Sequence, residues 1–261
     1  MSRVLVTGAA GFIGSHLAEA LLARGDEVIG FDNFDPFYPR AVKERNLAPL
    51  KAHSGFRFVE GDINDPGRLA DLLTAETVVT HLAAKAGVRP SILDPIGYAH
   101  ANVTGTVSVV EAMRRAGATR LVFGSSSSVY GNSTPAPFRE DAPALDPVSP
   151  YASTKRAGEL FLTSIAPLAH LKVAALGYFT VFGPKQRPDL AIHKFARLMR
   201  DGKPIPVFGD GSTRRDYTFI DDVIQGVRAS MKYTGSPFEV INLGNTQTVS
   251  LTEMIEGLES A

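Results

Sequence analysis

Arg3-Val-Leu-Val-Thr-Gly8-Ala-Ala-Gly11-Phe-Ile-Gly14 is the stretch that decides the fold. An apolar, β-like run leads into three glycines spaced three apart, and a helical pattern follows over 12–24. Each glycine has its own task. Gly8 makes a tight turn, Gly11 lets the backbone approach a pyrophosphate, and Gly14 lets the helix pack close to the sheet. The helix opens at Phe12 and Ile13, where unpaired N–H groups and the dipole favour negative charge. A second strand over 27–31 ends in Asp32 and Asn33. An acid roughly 20 residues beyond the glycines binds a ribose diol, so Asp32 points to NAD where an arginine would point to NADP.

The length suits one large α/β domain or a domain with a small appended lobe. Lysine plus arginine and aspartate plus glutamate stand at 27 each, so no global field draws the chain to nucleic acid or to an anionic membrane. Any anionic ligand must be held by local groups. The absence of cysteine excludes disulfides, thiolate metal sites and a cysteine nucleophile, and fits a reducing compartment. His16, His53, His81, His100, His170 and His193 show no metal-ligand spacing, and His81, at a strand end, reads as a structural hydrogen-bonder. The first strand starts within a few residues of Met1, leaving no room for a signal peptide, and no apolar run is long enough to span a bilayer. The expectation is a soluble cytoplasmic protein.

Strand and helix patterns alternate onward: strand 56–60, helix 66–73, strand 77–82, helix 95–116, strand 120–124, helix 150–166 and strand 172–178. Such alternation predicts a doubly wound parallel Rossmann sheet. The strands carry little polar alternation, as expected when helices cover both faces. Ligands of such sheets bind at the carboxyl ends of the strands, which here carry Gly8, Asp32, Asp62, Ala83, Ser125 and Tyr178. Past Tyr178 the chain is richer in proline, glycine and basic residues, with a helix expected over 190–201, a short strand over 205–208 and a helix from 221. This predicts a dinucleotide-binding domain over 1–176 and a smaller C-terminal substrate-binding lobe over 177–261, partly interleaved. A Ser250…Glu253 capping box starts a last helix, after which the sequence stops abruptly, as a C-terminally incomplete chain would.

Tyr151-Ala-Ser-Thr-Lys155 sets a phenol and an ammonium one helical turn apart on one face. It follows Ser149-Pro150 and the strand that ends in Gly124-Ser-Ser126-Ser127-Ser128-Val-Tyr-Gly131, whose hydroxyls fall on the ligand rim. A Ser-Tyr-Lys unit can remove a proton from an alcohol whose carbon gives up hydride. Tyrosine has an ordinary pKa near 10, so work near pH 7 needs a depression of roughly three units, about 4 kcal/mol. A neighbouring cation favours the phenolate. Tyr151 is therefore read as the base, Lys155 as its electrostatic partner and Ser126 as the hydroxyl that bonds the substrate oxygen.

Thr7-Gly8-Ala-Ala-Gly11-Phe-Ile-Gly14, Gly61-Asp62-Ile63, His81-Leu82-Ala83-Ala84, Ser125 to Gly131, Tyr151 to Lys155 and Arg215-Asp216 together resemble the extended short-chain dehydrogenase/reductase family of nucleotide-sugar enzymes, over essentially the whole chain. Within it, Asp35-Pro-Phe-Tyr38, Ala86-Gly-Val-Arg89, Phe179-Thr-Val-Phe-Gly-Pro184 and Arg187-Pro188-Asp189 are most similar to UDP-glucuronate 4-epimerases. The resemblance implies NAD as cofactor, with Asp62 and Ile63 flanking the adenine, Leu82, Ala83 and Ala84 lining the cofactor, and Lys43 reaching its phosphate or ribose. It implies a UDP-sugar held by Arg215 at the diphosphate and by Phe208 at the uracil. Ser127, Ser128 and Thr180 would bond the sugar carboxylate, and Arg89 and Arg187 would be movable or orienting cations.

Related dehydratases and decarboxylases usually carry an acid just before Val-Tyr-Gly, where Ser127 and Ser128 stand here. Elimination needs such a general acid, worth about 10²–10⁴ in rate. The reaction implied is oxidation at C4′, rotation of the 4-keto sugar and return of hydride to its other face. For a uronic acid the intermediate is a β-keto acid, so a clamp of hydroxyls on the carboxylate should restrain loss of carbon dioxide. Two positions depart from the pattern: Lys85, where these epimerases often have an uncharged residue, and Gly177, where an arginine is frequent. UDP-glucose or its N-acetylamino analogue is the alternative substrate, and an NAD-sensing protein without chemistry is the alternative of another class. The helices over 95–116 and 150–166 resemble the pair that forms a four-helix homodimer interface in the family.

Overall fold

The computed structural model describes residues 2–207 and 209–260. The chain runs β1 (Arg3–Thr7), α1 (Phe12–Ala23), β2 (Glu27–Asp32), α2 (Arg40–Lys51), β3 (Phe56–Glu60), α3 (Pro66–Ala70) and β4 (Val78–His81). Then come α4 (Val88–Leu93), α5 (Pro95–Ala99), a π-helical turn (His100–Thr104), α6 (Gly105–Ala116), β5 (Arg120–Ser126), a 3₁₀ turn (Ser127–Tyr130), α7 (Pro150–Leu168) and β6 (Lys172–Tyr178). The remainder forms β7 (Thr180–Phe182), α8 (Ala191–Arg200), β8 (Arg214–Phe219), α9 (Ile220–Ser230), β9 (Phe238–Leu243), β10 (Thr248–Ser250) and α10 (Leu251–Glu259). Among the described residues no helix is long and apolar enough to cross a membrane.

The doubly wound sheet expected from the alternation is present. Its order is β3-β2-β1-β4-β5-β6-β9, with every neighbouring pair parallel. The order in which strands are added reverses between β1 and β4, which opens a crevice at their carboxyl ends. Successive residues of β1 enter opposite cores: Val4 and Val6 pack with α1 and α9 residues such as Leu17, Leu21, Val223 and Val227. Leu5 packs with Val109, Met113 and Leu162 of α6 and α7. Leu5 is fully buried, so truncation to alanine costs about 2–5 kcal/mol. A second, three-stranded sheet, β10-β8-β7, stands beside the main one.

Several elements depart from the sequence reading. The helix expected over 95–116 is present as one continuous run, started by Asp94, which caps α5 through Gly97 N–H, but its winding widens in the π turn His100–Thr104. Residues 205–207 form no strand, since Pro204 and Pro206 remove two N–H donors there, and Phe208 lies outside the described residues. The helix expected over 66–73 ends at Ala70. The seventh strand of the main sheet, β9, comes from late in the chain and pairs with β6, and α9 packs on α1, so the C-terminal part returns to the dinucleotide fold.

Candidate active site

The glycine turn is built as its spacing demands. Gly8 sits at φ 72°, and a Cβ there would come within 2.8 Å of Ala83 N. A Cβ on Gly14 would collide with the Gly8 carbonyl, so α1 approaches β1 only because both positions are glycine. Gly11 caps α1 without a side-chain hydrogen bond, and the first turn holds no acid. Its unpaired N–H groups therefore suit an anion. Asp32 ends β2 with its carboxylate accepting from Ala10 N (3.1 Å) and Phe34 N (2.8 Å), and Lys43 Nζ stands 3.8 Å away. Burial pushes the Asp32 carboxyl above its ordinary value, while Lys43 and the two backbone N–H groups oppose this. Lys43 is itself buried and donates to the Asp35 carbonyl. Asn33 donates to Asp62 at 3.0 Å, joining the ends of β2 and β3.

The acid–base group is positioned by one helix start. Ser149 accepts from Ala152 N and Pro150 occupies the first turn, which starts α7 at a fixed residue and puts Tyr151 and Lys155 on its cleft side. Lys155 Nζ donates to the Gly124 carbonyl at 2.7 Å and lies 5.2 Å from the Phe123 ring centre. Burial lowers its pKa to about 8, against the pull of Glu159. Burial raises that of Tyr151, with Ser126 and the Arg187 charge working the other way. The Arg187 charge therefore opposes the effect of burial on the phenol, and Lys155 is tied to the end of β5. Ser126 Oγ also accepts from Ser128 N.

Behind this wall a buried polar chain fixes the floor. Thr7 Oγ1 accepts from Ala83 N and bonds His81 Nδ1, and His81 Nε2 meets Thr106 Oγ1. Burial, then the Lys155 charge, lowers the His81 pKa to about 3, so the ring is neutral. The π turn turns Asn102 inward, where it holds both backbone groups of Lys85 and the Thr154 hydroxyl. π turns frequently mark functional sites.

One cleft of about 720 Å³ takes in Gly8, Gly11, Phe12, Ile13, Gly14, Asp32, Asn33, Lys43, Asp62, Ile63, Leu82, Ala83 and Ala84, then Ser126, Ser128, Tyr151, Lys155, Thr180 and Arg187. Ser127 is half-buried on the 3₁₀ turn and does not line it; Arg89 on α4 and Arg215 on β8 are exposed and outside it. Arg215 donates to the Arg214 carbonyl. Tyr178 lies in the wall at the strand end where the sequence placed it, whereas Phe37, Tyr38, Lys85, His100 and Phe179 were not assigned there by sequence reading. Arg187 lies over the Phe37 ring at 5.0 Å and forms a two-bond pair with Asp189. Lys85 bonds Asp94 at 2.8 Å across the mouth, with Asp35 at 3.9 Å. Gly177 faces Asn242, whose carboxamide would meet a Cβ there and which bonds Tyr130 and Phe138.

A family model described as the NAD dependent epimerase/dehydratase family matches residues 4–244. The chain belongs to that family. It is 41% identical over 262 residues to a UDP-glucuronate 4-epimerase of Thermodesulfobacterium geofontis, spanning 99% of this chain and 80% of that one. It is 41% identical to UDP-glucuronate 4-epimerase 1 of Arabidopsis thaliana over 98% of this chain, but spans only 64% of the plant protein. Among solved structures it is similar to UDP-glucuronic acid 4-epimerase from Bacillus cereus in complex with UDP-glucuronic acid and NAD, at TM-score 0.90 and 39% identity over 99% of this chain and 82% of that one. A TM-score of 0.90 over nearly the whole chain means that this chain and that structure share one fold.

Proposed function

We propose that this family member inverts the C4′ centre of UDP-glucuronate to give UDP-galacturonate, with NAD as its resident cofactor. The observation that carries the reading is the single cleft joining the glycine turn and Asp32 to Ser126, Tyr151 and Lys155. The uncapped start of α1 and the close glycine packing fit a pyrophosphate, and Asp32 with Lys43 fits a ribose diol and its neighbour phosphate. NAD, when bound, supplies a reversible hydride acceptor for the sugar carbon. Tyr151 takes the C4′ hydroxyl proton and later returns it. Ser126 bonds the same oxygen, Arg187 favours the phenolate, and Lys155 supplies positive charge behind it.

Among the described residues three carboxylates line the cleft, Asp32, Asp35 and Asp62, and all come from the side of β2 and β3. Serines stand where elimination would need an acid, which supports epimerisation over dehydration. We assign Ser128 and Thr180, with Ser127 on the adjoining turn, to the sugar carboxylate, Arg89 as an orienting cation near it, Arg215 to the diphosphate, and Phe208 to the uracil. The division into a dinucleotide domain over 1–176 and a substrate lobe over 177–261 remains our assignment. So does a homodimer: Leu93, Ile96, Val107, Leu160 and Leu168 are exposed on α4 to α7, helices that pack on one another. A nucleotide-sugar substrate and a cysteine-free sequence fit a cytoplasmic enzyme.

Incubation of the purified protein with UDP-glucuronate, without added cofactor, tests the reading by proton NMR of the C4′ centre. UDP-galacturonate is the expected product. Inversion of UDP-glucose alone moves the substrate assignment, carbon dioxide release during turnover counts against the carboxylate clamp, and no inversion of either sugar with NAD added refutes the reading.

A further inference from the structure

Glu159 is a carboxylate that the chemistry above does not use, yet it is buried, 1% exposed, behind the cleft wall that carries Ser125 and Lys155. It lies one helical turn beyond Lys155 on α7. Its Oε1 accepts from Ser125 Oγ at 2.5 Å and its Oε2 from Arg156 at 3.0 Å, while Arg156 also donates to the Pro143 carbonyl. Ser125 lies between Gly124, whose carbonyl holds Lys155, and Ser126, which bonds the reacting oxygen. One buried carboxylate thus joins α7, the end of β5 and the segment around Pro143. A buried charge is retained at a cost unless its partners are fixed, and removing one partner of such a group is usually expensive.

We propose that Glu159 is a positioning residue, whose carboxylate ties the Ser125–Ser126 end of β5 to α7 and provides the counter-charge that keeps Lys155 a cation in the cleft. The inference rests on the reading that Ser126, Tyr151 and Lys155 perform the chemistry. The groups facing this carboxylate are Lys155 and Arg156 on α7, Ser125 on β5 and the Tyr130 phenol on the following turn; Lys155 in turn faces neutral His81 on β4. Arg156 is partly exposed and takes up one oxygen, and the charge of Glu159 acts on Lys155 in the direction that retains the proton.

The test is NMR titration of lysines labelled with carbon-13 at Cε, with Lys155 assigned through Lys155→Arg, alongside the pH profile of kcat. Glu159→Gln keeps an acceptor for Ser125 but removes the charge. The Lys155 titration then moves to lower pH, the alkaline limb of kcat moves with it, and kcat at pH 8 falls on the order of tenfold while KM changes little. Ser125→Ala removes the hydrogen bond but not the charge and leaves the Lys155 titration in place. Glu159→Met fills the same volume without an unpaired polar end and is the second neutral variant, read in the same way. A Lys155 titration unchanged in both neutral variants overturns the proposal. An inactive wild type whose Lys155 titration still moves on neutralising Glu159 supports it and refutes the epimerase reading alone.

Discussion

Replacing Lys155 by methionine should change stability by an amount that depends on pH. The ammonium is 5% exposed, and burial lowers its pKa from 10.5 to about 8 despite Glu159. At about 1.4 kcal/mol for each pKa unit, that burial costs the folded state about 3 kcal/mol. Below pH 8 both folded and unfolded chains carry the proton, so the folded wild type bears the whole cost. Above the ordinary lysine range neither carries it and the cost is gone. Between the two the unfolded state binds more protons, so wild type gains on the variant as pH rises. The lost hydrogen bond to Gly124 and the changed packing are common to every pH and drop out of the comparison. For a chain of this size about 1 kcal/mol moves the melting temperature by roughly 2–4 °C. Thermal unfolding of both proteins at pH 7 and pH 10.5 should therefore show the difference in their midpoints changing by about 6–12 °C in favour of wild type. A difference that stays constant across pH would refute a depressed, buried ammonium, and with it the electrostatic account of the site.

Tyr151→Phe removes the proton acceptor and should lower kcat by about 10²–10⁴ while leaving NAD retention and melting temperature near wild type, read by NMR turnover and by nucleotide released on denaturation. Gly14→Ala drives a Cβ into the Gly8 carbonyl; the purified variant should carry far less NAD, and full retention would show that the turn can shift. His81, with its pKa lowered to about 3 by burial and then by Lys155, stays neutral while the unfolded ring charges, so stability it confers is present above pH 6.5 and lost as pH falls through the window from 6.5 to about 3. His81→Gln should flatten that acid limb in melting curves between pH 4 and pH 7.

The parts of the site legible in sequence are those whose geometry is local. Gly8, Gly11 and Gly14 act within one turn, Asp32 follows on the neighbouring strand, and Tyr151 and Lys155 are fixed to each other by the pitch of one helix. α2 escaped notice because its buried face is Lys43, Asn46, Leu47 and Leu50, half of it polar, so no apolar period exists to be read. β9 is only half-buried along most of its length, and its partner β6 is distant in the chain. The wall formed by Phe37, Tyr38 and Lys85, and the action of Arg187 on Tyr151, arise only when loops after separate strands meet at the rim.

The π turn at His100–Thr104 also governs which changes of length this chain can absorb. A π turn accommodates one residue more than the α turn it replaces, so deleting a single residue there restores regular winding and leaves α5 and α6 in nearly the same rotational phase. The faces of both helices are kept, and what changes is the widened turn itself, which carries Asn102 and its three bonds to Lys85 and Thr154. A deletion of one residue within the regular winding of α6 instead rotates the helix before it by about 100° and turns its buried face out of the core. The wide turn is thus the place in this helical run where a one-residue change of length is absorbed locally, at the cost of the contacts made by the turn.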